Sequence, residues 1–157
     1  MLRFAFLIPS LFLALVAATP LVRAADPAAD PAYQSVEIAP TRTSIFIGSV
    51  RISFTRFTRS KGVYEGDYQV RVFPFFYRES GHLRIEFSDA QIRRLHRGET
   101  VPFVGSGLSR AGARRGVVGK AVPEGLQTGR LTVDVYVTHK IKLVFHTTYR
   151  LPYPPRP

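Results

Sequence analysis

The chain has 157 residues, 45% of them hydrophobic, which is enough for one folded domain with one ordinary core. It carries 22 lysine and arginine residues against 11 aspartate and glutamate residues, so its net charge is +11. The absence of cysteine excludes disulfides and a cysteine-linked lipid, so the domain must be stabilised by its core alone.

Residues 1–24 are typical of a secretory signal peptide. Arg3 provides the positive start, an apolar run follows, and Val22-Arg23-Ala24 offers a cleavage site before Ala25. A membrane anchor is the alternative, but the apolar run is shorter than the roughly 20 residues that a bilayer span needs. We therefore expect an exported protein, periplasmic or extracellular, with no transmembrane anchor after cleavage. Its charge falls to +9, because the signal removes two of the 22 basic residues and none of the 11 acidic ones.

Residues 25–43 are predicted to be a flexible linker rich in proline and alanine. The segment contains Asp-Pro-Ala-Ala-Asp-Pro and has few large apolar residues, so it offers little surface to a core. Val36 and Ile38 are exceptions, and the flanking prolines limit them to a short edge strand.

Between Ser44 and Phe87, apolar and polar residues alternate, which predicts antiparallel strands with one buried face. The alternation changes phase next to Gly48, which suggests a β-bulge. Turns are expected at residues 60–62 and 79–82. The aromatic cluster before the second turn is the best candidate for an exposed binding surface, although such residues more often close a small core. The cluster comprises Phe73, Phe75, Phe76 and Tyr77.

One helix is predicted over residues 88–97. Ser88 stands three residues before Gln91, which is the spacing of a capping box. Ile92 and Leu95 form a narrow apolar stripe, so the helix should lie against the sheet.

Two further strands are predicted between Thr100 and Val122, with a basic loop between them. Arg110, Arg114 and Arg115 give this loop the densest positive charge in the chain. Together with the amides of nearby glycines, these arginines form a candidate anion-binding site. The simpler explanation is that arginines solvate the strand faces.

The clearest strand pattern covers residues 131–151, where most apolar residues take odd positions and most polar residues take even ones. A three-residue loop at residues 138–140 would pair Val133 with Phe145 and place the apolar side chains on one face. One long bent strand is the alternative, because the loop lacks the glycine or asparagine typical of tight hairpins. Residues 152–157 are predicted to be a proline-rich tail.

About seven short strands and one short helix within residues 44–151 predict an all-β fold. A two-layer antiparallel β-sandwich, immunoglobulin-like in outline, is the commonest way to bury such strands. A closed barrel is the main alternative, and a small outer-membrane β-barrel is one version of it.

No motif in the sequence identifies a reaction. The four histidines are scattered without metal-ligand spacing, and no Gly-x-Ser-x-Gly motif occurs. We therefore predict no catalytic residues, no metal site and no cofactor. A hydrolase or lyase would require His82, His139 and two carboxylates to converge in one pocket.

The expected function is a binding or scaffolding role for an exported, non-enzymatic β-domain of the bacterial cell envelope. The positive charge favours an anionic partner, such as a lipid head group or an acidic polysaccharide, and another envelope protein is also considered. Export argues against nucleic acid. A carrier of lipid or of another small ligand is a further alternative, which requires an internal cavity larger than a packed sandwich leaves.

Overall fold

A computed structural model of the protein describes residues 26–152. The predicted signal peptide at residues 1–24 and residues 153–157 of the predicted tail lie outside the described residues. The described chain forms ten strands, one α-helix and two short 3-10 helices. In this part of the chain, no helix has both the length and the hydrophobicity required to cross a lipid bilayer.

The elements follow one another through short turns. The 3-10 helices are Pro27–Ala29 and Pro31–Gln34, and the helix α1 (Asp89–His96) connects the sixth strand to the seventh. The strands are β1 (Ser35–Ile38), β2 (Thr41–Ile45), β3 (Gly48–Phe54), β4 (Phe57–Ser60), β5 (Val63–Phe73), β6 (Tyr77–Glu86), β7 (Val101–Ser109), β8 (Arg114–Pro123), β9 (Thr128–Tyr136) and β10 (Lys142–Arg150).

The strands form one antiparallel sheet that closes into a barrel. From β5 to β10, each strand pairs with the next one along the chain. β10 then pairs with β1, β1 with β4, and β4 with β5, which completes a ring of eight strands. The β2–β3 hairpin is hydrogen-bonded to the second half of β5 and extends the wall.

The all-β fold with one short α-helix is confirmed, but the two-layer, immunoglobulin-like sandwich is corrected to a closed barrel. The strands number ten rather than about seven. The sheet closes because β1 pairs with β10 on one side and with β4 on the other. This short strand satisfies both edges of the sheet, so no second layer is needed to cover them.

Residues 26–43, predicted to be linker, belong to the barrel. Asp26 and Asp30 cap the two 3-10 helices, and their carboxylates accept hydrogen bonds from the amides of Ala28 at 3.0 Å and Ala32 at 2.8 Å. A proline follows each aspartate at the first helical position, where its missing N–H costs nothing. The Asp-Pro repeat therefore caps the two 3-10 helices. It also places the buried side chain of Tyr33 beside the core.

Two other local predictions are confirmed. The pairing of Val133 with Phe145 places residues 131–151 in a hairpin rather than in one long strand. The helix α1 begins after Ser88 with both hydrogen bonds of the predicted capping box, and it buries Ile92 and Leu95.

Two predicted features near the strand ends differ from the structure. The phase change next to Gly48 arises from a tight turn at residues 46–47, not from a bulge within a strand. Residues 79–82 lie inside β6, and the turn falls at residues 74–76 instead. Pro74 has no N–H for the ladder, which suits a turn better than a strand interior.

Side chains alternate between the inside and the outside of the barrel wall. In β5, Tyr64 and Tyr68 are buried inside, whereas Asp67, Gln69 and Arg71 are exposed outside. Along β5 the inner face is therefore apolar and the outer face is polar, whereas β7 and β8 also expose Val104, Leu108 and Val118 on the outside.

The two ends of the barrel are built differently. Helix α1, the 3-10 helices and Leu151 close one end, where Ile92 is fully buried. The opposite end, which we call the mouth, consists only of the four turns at residues 46–47, 74–76, 110–113 and 137–141.

Large inward side chains lie over glycines of the neighbouring strand. Each occupies the space that a Cβ atom on the glycine would fill, so the side chain lies along the wall instead of across the barrel. The pairs are Tyr68 with Gly81, Leu83 with Gly107, Ile85 with Gly105, Phe103 with Gly119 and Tyr149 with Gly129.

Replacing Gly119 by alanine should therefore destabilise the fold. The new methyl group would overlap the Phe103 ring and come within 2.7 Å of the Thr132 carbonyl oxygen, and such overpacking costs about 1 to 3 kcal/mol. Gly116→Ala is the matched control, because a Cβ there would meet Tyr136 at an ordinary 3.7 Å. Urea unfolding followed by circular dichroism measures both free energies, and equal stability of the two variants would contradict the proposed packing.

Candidate binding cavity

The barrel encloses a cavity of about 300 Å³. Its lining is almost entirely aliphatic and aromatic, with side chains contributed by all eight strands of the ring. Such a space is a candidate site for an apolar ligand.

The free space lies toward the mouth. Val70 and Val72 near the end of β5, Val135 near the end of β9 and Leu143 near the start of β10 all line the cavity, yet each is only partly buried. Side chains nearer the closed end, such as Phe87 and Phe103, are buried and pack against one another. The cavity is therefore filled by side chains at the helix end and left open near the mouth.

One cluster of polar side chains lines the cavity near the mouth, and Glu79 is at its centre. The Glu79 carboxylate accepts hydrogen bonds from the Tyr68 hydroxyl at 2.8 Å, the Tyr77 hydroxyl at 2.9 Å and Arg115 Nη2 at 2.7 Å. Arg115 also donates from Nη1 to the Val137 carbonyl oxygen at 3.3 Å. This network ties β5, β6 and β8 to the turn after β9.

The network keeps Glu79 ionised. Burial alone raises the pKa of its carboxyl, but the hydrogen bonds from Arg115, Tyr68 and Tyr77 outweigh burial, and the net pKa lies below the usual value of 4.5. Burial, followed by the hydrogen bond to Glu79, raises the pKa of Tyr68, which therefore remains a donor. The hydrogen bond to Glu79 raises the pKa of Arg115. A carboxylate stabilised in this way is suited to holding a polar group in place and poorly suited to moving protons near neutral pH.

The structure does not place the three arginines predicted to bind an anion on one face. Arg110 and Arg114 are exposed in or beside the turn between β7 and β8. Arg115 turns toward the inside, where its side chain is mostly buried and paired with Glu79. The prediction that these arginines bind an anion together came from their closeness in sequence. Along β8, however, successive side chains point to opposite faces of the barrel wall, so Arg114 and Arg115 are separated.

The predicted aromatic cluster lies at the mouth, and its four members are exposed. Phe76 is the most exposed of them, at 83%, and its ring packs edge-on against Phe73 with centroids 6.2 Å apart. Tyr77 also contributes its hydroxyl to the Glu79 network. The sequence reasoning missed Phe46 and Ile47 in the neighbouring turn, which are exposed by 104% and 59%. The sequence feature that could have located them is the change in phase of the apolar alternation before Gly48, because it marks a turn with two apolar residues at its tip.

The histidines do not converge on the cavity. His82 lies on the outer face of β6, where Nδ1 is 3.1 Å from the Asp67 carboxylate, and His139 lies in the turn after β9. Neither residue lines the cavity. Within residues 26–152, no three histidine, aspartate or glutamate side chains are grouped closely enough to hold a metal ion.

Comparison of the chain with known protein families, curated proteins and solved structures finds no match.

Replacing Glu79 by glutamine should destabilise the protein in a pH-dependent manner. At neutral pH the variant loses charge-assisted hydrogen bonds, which are worth about 1 to 3 kcal/mol together in a partly solvated site. Because folding lowers the pKa of Glu79, its contribution is present above about pH 4.5 and is lost as the pH falls through the folded value. The stability difference between wild type and variant should therefore shrink on acidification.

Denaturant unfolding at a series of pH values measures this difference. Glu86→Gln is the matched control, because Glu86 is an exposed residue of the same strand and forms no ion pair with the described residues. A Glu79→Gln deficit that stays constant down to pH 3 would show that the carboxylate charge is not what stabilises the cluster.

Proposed function

We propose that this protein is an exported, non-enzymatic binding protein of the bacterial cell envelope, and that its barrel holds one small amphiphilic ligand. The apolar part of the ligand occupies the cavity, and its polar end lies at the mouth beside Glu79 and Arg115. The apolar cavity is the observation on which this proposal mainly rests. The signal-peptide pattern of residues 1–24 supports export.

The size of the cavity supports a ligand rather than a packing defect. Packed protein interiors contain few voids larger than a water molecule, whereas small-molecule sites begin at about 300 Å³. Barrels of eight strands have room for one small ligand when side chains do not fill them.

The distribution of polar groups supports an amphiphile. The charged atoms of the lining belong to Glu79 and Arg115, both near the mouth, and the surrounding wall is apolar. The pair is already hydrogen-bonded within the protein, so its effect is to make the entrance polar where the rest of the lining is apolar. A ligand with one hydroxyl, carbonyl or charged group would satisfy both parts of the site.

The polarity of the wall favours a binding protein over the small outer-membrane barrel. Outer-membrane barrels turn an apolar band outward and a polar surface inward. Here the arrangement is the reverse, because the strand faces turned outward carry residues such as Asp67, Arg71, Arg84 and Thr148. The placement of His82 and His139 away from the cavity gives no support to a hydrolase or lyase.

Filling the cavity should weaken ligand binding. Val135 points into the cavity and is partly buried, so Val135→Phe places a ring in the space that the ligand needs. Titration with the apolar fluorophore N-phenyl-1-naphthylamine should show affinity at least ten-fold weaker than in wild type. Val118→Phe is the matched control, because Val118 lies on the adjacent strand, faces outward and is 45% exposed.

The native ligand is sought by purifying the protein from the periplasm and recording its mass under native conditions, followed by organic extraction. We expect one bound amphiphile per chain. A protein that carries no extractable molecule and binds the fluorophore equally in all three forms would refute the proposed function.

A further inference from the structure

Four arginines form a continuous row across the outside of the barrel wall. They occupy directly opposed positions on four neighbouring strands, and each is exposed. The row runs from Arg42 on β2 to Arg51 on β3, Arg71 on β5 and Arg78 on β6. Like charges directly opposite one another destabilise a sheet, so the row carries a cost in the isolated protein.

No carboxylate offsets this charge. All 11 acidic residues of the chain lie within residues 26–152, and nine of them pair with other basic side chains. None of the four arginines of the row forms an ion pair within the described part of the chain. The row is therefore a concentrated positive strip that is open to an external anion.

Exposed apolar side chains border the row on the mouth side. Phe73 and Phe76 line a groove of about 420 Å³ together with the four arginines. The turn that carries Phe46 and Ile47 is adjacent, because Gly48 lies against the Phe73 carbonyl and Pro74. Exposed aromatic and aliphatic side chains do not assist binding to a soluble anion, and they cost free energy in water.

We propose that this corner of the barrel is a docking surface for an anionic phospholipid membrane. The arginine row contacts lipid phosphates, and the tips at Phe46, Ile47, Phe75 and Phe76 enter the interface between head groups and acyl chains. An anionic membrane accounts for both the arginine row and the exposed apolar side chains. An acidic polysaccharide would engage the arginines and leave the apolar tips in water.

Docking in this way places the mouth against the lipid surface. The cavity and its Glu79–Arg115 cluster then open toward the membrane, where an amphiphilic ligand would be taken up or released. The docking surface itself does not depend on the proposed function, because the row and the tips lie outside the cavity.

Flotation with vesicles tests the proposal on the signal-cleaved protein. Wild type should bind phosphatidylcholine vesicles that contain phosphatidylglycerol, should bind pure phosphatidylcholine vesicles much more weakly, and should be partly released by salt. Replacing both Arg51 and Arg71 by glutamine should weaken binding about thirty-fold. The matched control replaces Arg84 and Arg130, which are exposed arginines paired with carboxylates elsewhere, and changes the net charge equally.

The apolar tips are tested separately. Replacing Phe46 and Phe75 by serine should remove the binding that persists at high salt. Leu126→Ser is the control, because Leu126 is 85% exposed in the turn between β8 and β9, away from the mouth. Circular dichroism verifies that each variant is folded.

Two outcomes would overturn the proposal. One is that the row variant and its control bind anionic vesicles equally well. The other is that wild type binds an acidic polysaccharide such as polygalacturonate but does not bind anionic vesicles. The cavity-filled Val135→Phe protein should still bind vesicles, so failure of the docking surface and failure of the proposed ligand site are distinguishable.

Discussion

The contact on which this structure depends is the placement of a large inward side chain over a glycine of the neighbouring strand. Phe103 over Gly119, between β7 and β8, and Tyr149 over Gly129, between β9 and β10, are examples. In an eight-stranded ring the side chains from facing walls would otherwise meet at the axis and fill it. Because the rings lie along the wall, the barrel keeps both a continuous apolar lining and free volume near the mouth.

The unequal ends of the barrel give the interior a direction. At one end, α1 and the capped 3-10 helices supply buried side chains, and the Tyr64 hydroxyl donates to the Tyr33 carbonyl oxygen at 2.6 Å. At the other end, only turns surround the cavity, and Glu79 and Arg115 are satisfied by each other and by tyrosine hydroxyls. An interior that is sealed and apolar at one end and polar at the other is suited to a ligand that is itself amphiphilic.

Charge is distributed as unevenly as polarity. Most carboxylates pair with arginines beside the helix, on the strands of the ring or at the Glu79 cluster, so the excess positive charge is concentrated elsewhere. The row from Arg42 to Arg78 is one result, and it lies beside exposed phenylalanines. Net charge alone did not indicate this surface, because the four arginines come from two separate hairpins and are aligned only by strand register.

Local patterns determined the parts of this protein that depend on neighbours in sequence. Alternation determined the strands and the hairpin at residues 131–151, and the Ser88–Gln91 spacing determined the start of α1. Tertiary structure alone decided that the sheet closes, that β1 serves as the closing strand, and that Arg115 points inward to Glu79. Strand alternation is the same in a sandwich and in a barrel. What distinguishes the two is whether the first strand can reach the last, and that depends on contacts between residues more than 100 positions apart.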